Sequence, residues 1–125
     1  MADHATIAKE ETTRLIASDK VDGTRVYNRA GEKLGTILNF MVDKRSGKAE
    51  YAVLEFGGFL GIGKTYYPLP WEKLSYSTSQ GGYVVDIHKS RLEDAPRYDR
   101  DTPPAFDENY GRKIYGHWDV PYPIV

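Results

Sequence analysis

The chain has 125 residues, a formal net charge of -1 and no cysteine, which sets one domain with a modest core and excludes disulfides and thiolate metal sites. The near-neutral balance offers no basic face for nucleic acid, so none is expected as a partner. No apolar run approaches the roughly 20 residues that cross a bilayer, and the opening MADHATIAKEETTRL lacks the apolar centre of a signal peptide, so no transmembrane segment and a cytoplasmic setting are expected.

Residues 1–14 read as a flexible polar lead. Ser18 or Asp19 is placed to cap one helical turn before Gly23. From there to residue 89, apolar and β-branched runs alternate with turn signals. Thr24–Tyr27 reads as a strand, Asn28-Arg29-Ala30-Gly31 as a turn and Gly35–Val42 as a second strand. Asp43-Lys44-Arg45-Ser46-Gly47 makes the reversal, where glycine supplies the left-handed position of a bulged hairpin. Lys48–Phe56 is the antiparallel return. Thr65–Leu69, a short run in Trp71–Tyr76 and Gly82–Ile87 complete about six strands. That spacing predicts an all-β fold, a small closed barrel of mostly antiparallel strands. Its core is expected to use Val26, Leu34, Leu38, Phe40, Val42, Ala52, Leu54, Phe56, Leu69, Val85 and Ile87.

Two strands break the apolar-in, polar-out rule of a half-solvated sheet. Lys48–Phe56 carries Ala52, Leu54 and Phe56 on one face and Ala49, Tyr51 and Val53 on the other. Thr36–Val42 carries Leu38, Phe40 and Val42 against Ile37 and Met41. Their outer faces call for a cover, either the chain's own tail or a second copy. The tail supplies material for one. Ser90-Arg91-Leu92-Glu93 has the form of a capping box, predicting a short helical turn that Pro96 ends. Arg97–Asn109, with Pro103-Pro104, reads as a solvated acidic linker. Tyr110–Trp118 is rich in aromatic residues and is expected to dock on a barrel. A short helix over Glu108–Tyr115 is interrupted at Gly111.

Gly58-Phe59-Leu60-Gly61-Ile62-Gly63-Lys64-Thr65 satisfies the G-x-x-x-x-G-K-[ST] phosphate-loop pattern. A working phosphate loop needs a helix whose N-terminus faces the anion. Tyr66-Tyr67-Pro68-Leu69-Pro70 cannot supply it, because two prolines break a helix interior. The segment reads as an inter-strand loop bearing three apolar side chains. His4, His88 and His117 have no metal-pair spacing, the acidic run lacks calcium-loop order, and no serine sits in a nucleophile elbow. Neither a catalytic centre, a metal nor a cofactor is expected.

Several stretches together resemble one family. They are Ala17-Ser18-Asp19, Gly31-Glu32-Lys33-Leu34-Gly35, Val42-Asp43 with Gly47, Tyr51-Ala52-Val53, Phe56-Gly57-Gly58-Phe59-Leu60-Gly61-Ile62-Gly63, Pro70-Trp71-Glu72-Lys73-Leu74 and Leu92-Glu93-Asp94-Ala95-Pro96. From about Leu15 to Tyr98 the chain is similar to the PRC-barrel proteins, named from the photosynthetic reaction centre H subunit. This divides it into a lead (1–14), a barrel (15–98) and a tail (99–125) packing on a barrel. The resemblance implies a compact β-barrel whose usual role is interaction, and a stand-alone bacterial member. The reading is a non-enzymatic protein-interaction module, expected as a homodimer with a further, unidentified protein partner. Its expected contact surface is Tyr51, Val53, Phe59, Leu60, Ile62, Tyr67, Tyr115 and Trp118. The alternatives are a protein binding a small quinone-like ligand, by analogy alone, and an RNA or ribosome-assembly factor.

Overall fold

The structure, a computed structural model, describes residues 15–57, 64–99 and 101–123. Seven strands build one mixed sheet: β1 (Arg25–Asn28), β2 (Lys33–Val42), β3 (Ala49–Gly57), β4 (Lys64–Pro70), β5 (Leu74–Ser77), β6 (Gly82–Val85) and β7 (Tyr98–Asp99). The spatial order is β5-β6-β1-β2-β3-β4-β7. All neighbours are antiparallel except β1 and β6, which run parallel. Among the described residues three short helices accompany them: α1 (Ser18–Val21), α2 (Lys89–Glu93) and α3 (Glu108–His117).

Turn chemistry explains the hairpins. In the β2–β3 reversal the Asp43 carboxylate accepts the backbone N–H groups of Arg45 and Ser46, both at 2.8 Å. Gly47 takes the left-handed position with φ 76°. The β1–β2 turn is locked by Asn28, which is buried. Its side-chain oxygen accepts from the Glu32 N–H at 2.9 Å, while its amide donates to the Glu32 carboxylate at 2.7 Å.

The sheet curls strongly. Only the 3₁₀ turn Trp71–Lys73 joins β4, sixth in spatial order, to β5, first in that order. Five flat strand spacings are about 24 Å, whereas the four Cα steps from Pro70 to Leu74 reach about 15 Å at most. The turn therefore forces the two sides together, and the Trp71 ring packs on Phe40 of β2 and Tyr83 of β6. Of the expected all-β barrel of about six mostly antiparallel strands, the described residues show a curled, mostly antiparallel sheet of seven; hydrogen bonds do not close it, since its outermost strands, β5 and β7, share no ladder.

A bulge corrects the predicted faces of β2. Residues directly opposite in a ladder point to the same side. Ile37 pairs with Leu54 and Phe40 with Ala52, with an irregularity between Ile37 and Asn39. One extra residue reverses the alternation, so Ile37 and Phe40 share the inner face. Ile37 is 1% exposed, while Val42, expected in the core, is 43% exposed. Leu38, also expected inside, is half-buried. Val26, Leu34, Ala52, Leu54, Leu69 and Val85 are buried as expected. Phe40, Phe56 and Ile87 pack at the core's margin.

The helices start without the predicted caps. The N-cap of α1 is Ala17 and that of α2 is His88, and neither side chain caps. The capping-box reading of Ser90–Glu93 fails because the helix begins before Ser90. In α3 the Asp107 carboxylate does cap, accepting the Tyr110 N–H at 3.0 Å. The linker also contributes Tyr98–Asp99 to the sheet edge, against Tyr66 and Thr65 of β4.

Candidate interaction surface

The two faces of β3 and β4 have separate neighbours. Leu54 pairs with Tyr67 and Ala52 with Leu69, toward the interior. Tyr51 pairs with Pro70, Val53 with Pro68 and Glu55 with Tyr66, on the opposite face. The chain's own tail covers that second face. Rings connect Tyr66 to Tyr98, Tyr98 to Phe106, Phe106 to Tyr51, Tyr51 to Tyr115 and Tyr115 to Tyr122, with centroids 5.3–6.3 Å apart. Four of these five contacts are edge-on, which the ring quadrupoles favour. The Tyr115 hydroxyl donates to the Glu50 carbonyl at 2.6 Å.

Helix α3 makes this docking possible through Gly111. A Cβ there would lie 2.4 Å from Cε1 of Tyr122 and 2.7 Å from the Tyr51 hydroxyl. The residue predicted to interrupt the helix is instead a point of close approach to Tyr51 of the sheet and Tyr122 of the tail. Gly111, Ile114 and Tyr115 form the buried side of α3. Beyond it the chain folds back, with the Arg112 guanidinium over the Tyr122 ring at 5.1 Å.

The far end of α3 is tied to α2. Arg91 donates to the His117 carbonyl, stands 5.5 Å from the Trp118 ring centre and pairs with Asp119 at 3.7 Å. Trp118 is 1% exposed. Its indole nitrogen and the Tyr110 hydroxyl are buried and have no hydrogen-bond partner among the described residues.

Burial raises the tyrosine pKa values throughout this layer. Tyr110 and Tyr115 are both pushed up to about 12, chiefly by desolvation. Tyr51 and Tyr98 are shifted the same way for the same reason.

The eight expected surface residues divide into two groups. Tyr51, Val53, Tyr67, Tyr115 and Trp118 are all buried within one chain. Tyr67 faces the interior and touches Phe56, while Tyr51 and Tyr115 meet in the layer between sheet and tail. Phe59, Leu60 and Ile62 lie outside the described residues. Phe106, Tyr110, Tyr122 and Gly111 were not anticipated as site residues. The signal for Tyr110, Ile114 and Trp118 is their four-residue spacing behind Asp107, a helical stripe with its cap.

Beside Trp71 and Tyr115 an open groove of about 400 Å³ is rimmed by Asp43, Glu50 and Glu72. Among the described residues no group of three or more His, Asp or Glu is placed to hold a metal ion. The phosphate-loop pattern leads into β4, a strand antiparallel to β3, so the helix that such a loop requires is absent. No helix of the described residues is long and apolar enough to cross a membrane.

These features define a small β protein with a strongly curled sheet, one face of which is closed by its own C-terminal helix. The model of the PRC-barrel domain matches residues 14–92, and the chain belongs to that family. No curated protein sequence matches it. Among solved structures it is similar to a candidate 16S ribosomal RNA processing protein, RimM, of Pseudomonas aeruginosa, at 16% identity and a TM-score of 0.44. That match covers 67% of this chain and 50% of the other, so the chain spans about half the length of that protein.

Proposed function

We propose that this protein is a non-enzymatic interaction and assembly module of the PRC-barrel type, acting in the cytoplasm and self-associating. The observation that carries this reading is the aromatic layer on β3 and β4. That face already recognises a polypeptide segment, through interlocked rings and the hydrogen bond from Tyr115 to Glu50. Aromatic side chains in desolvated settings commonly dominate protein–protein binding energy. The glycine-rich segment adds Phe59, Leu60 and Ile62 as further contact residues for a second copy or another protein.

Molar mass by light scattering over a range of concentrations tests the reading. A mass rising above the 14.2 kDa of one chain supports it. A single-chain mass throughout removes self-association. Phe59→Asp combined with Leu60→Asp is expected to change either this mass or the profile of proteins retained from the source cell. If neither changes, the glycine-rich segment is not a contact surface.

A further inference from the structure

The self-association proposed above leaves open how two copies meet, and the tail carries an answer. We propose that two copies of this chain associate by exchanging residues 101–123, each seating its α3 on the β3–β4 face of the other.

The argument begins with what the tail needs. An isolated helix of 10 residues is marginal in water and owes its stability to packing. Helix α3 carries its own N-cap at Asp107 and its own Glu108–Arg112 pair at 2.9 Å, but its buried side requires a docking face. The face equally requires a cover, since release would bare Tyr51, now 4% exposed, and Val53 beside it. Each surface buries apolar groups against the other.

Nothing in that complementarity depends on the two belonging to one chain. The contacts named above are ring against ring, the Tyr115 hydroxyl to the Glu50 carbonyl and the Arg91 attachments to His117 and Asp119. A second copy supplies every one of them, which is the condition for domain exchange between protomers. The closed monomer and the exchanged pair differ mainly at the connection, residues 101–105. Asp101, Thr102, Pro103 and Ala105 are exposed, so re-aiming this segment disturbs little packing. Its backbone is held by the Thr102 N–H to the Asp99 carbonyl at 3.1 Å. Pro103 and Pro104 fix φ and hold each preceding residue extended. Two fixed prolines leave this connection little slack, so its length decides whether α3 reaches its own chain's face or only that of a second copy.

Connection length tests the proposal in the full chain without touching the packed groups. Deleting Pro103 and Pro104 shortens the reach by up to about 7 Å, and the expected result by light scattering is twice the single-chain mass at all concentrations. Inserting a flexible Gly/Ser segment after Pro104 is expected to return a single-chain mass, because the effective concentration of a chain's own tail then prevails. Adding Gly111→Trp to the shortened chain, which blocks seating on any copy, is expected to dissolve the pair. A pair that forms in all variants and ignores both connection length and Gly111→Trp overturns the exchange and leaves self-association standing through another surface. Folded chains of single mass in every variant overturn both.

Discussion

Gly111 holds the tail close to the sheet through the side chain it lacks. Its missing Cβ is the space in which Tyr51 and Tyr122 approach α3. In an exposed helix, Gly→Ala gains about 1 kcal/mol from backbone propensity. Here overpacking opposes it, at about 1–3 kcal/mol. Tyr122 is half-buried and able to yield, but Tyr51 is clamped between Phe106 and Tyr115. Gly111→Ala is therefore expected to destabilise the fold by about 1 kcal/mol net, read as a lower midpoint in urea denaturation. A higher midpoint would mean that propensity wins and the approach is loose. The sequence hides this role because glycine in a helical window reads as a break. Only the partner rings, one 60 positions earlier at Tyr51 and one 11 later at Tyr122, reveal it as a contact.

At the level of elements, β2 shows what alternation can and cannot tell. The strand was legible from its β-branched and apolar run, and so was the hairpin closed by Asp43 and Gly47. The bulge after Ile37 was not, because an inserted residue leaves no compositional mark in Thr-Ile-Leu-Asn-Phe. Its consequence is measurable. Ile37→Ala is expected to cost about 2–5 kcal/mol, as for buried large-to-small changes, and the half-buried Leu38→Ala clearly less. Equal losses, or a larger loss at Leu38, would restore strict alternation and remove the bulge. For α2 the capping-box pattern of Ser90 and Glu93 was present but unused, since the helix already begins at Lys89. The need for a cover over β3 was legible from Tyr51 and Val53 on its second face. The choice of the chain's own tail was not, because that depends on where the linker delivers α3.

For the molecule as a whole, the tyrosine layer predicts an alkaline response. Tyr51, Tyr98, Tyr110 and Tyr115 all have pKa values raised above the ordinary value near 10 by burial. A raised folded-state pKa contributes stability that is intact below the unfolded value and is lost as pH climbs toward the folded one. Stability should thus hold up to about pH 10 and decline from there through about 12, where Tyr110 and Tyr115 would ionise. Tyrosinate absorbance during alkaline titration is expected to show these four tyrosines ionising late, together with loss of the tail's near-ultraviolet dichroism. Ionisation complete near pH 10 would mean that the layer is open to water.

The parallel pairing of β1 with β6 sets a timetable for folding. Val26 meets Tyr83 and Asn28 meets Val85, so the sheet cannot be completed until nearly sixty intervening residues have been gathered in. Contacts between such distant positions make for slow folding. The tail follows all of these strands in the chain, so on a growing polypeptide the ring-lined face is finished before its cover has been made. During that interval the face of one nascent chain is available to the completed tail of another.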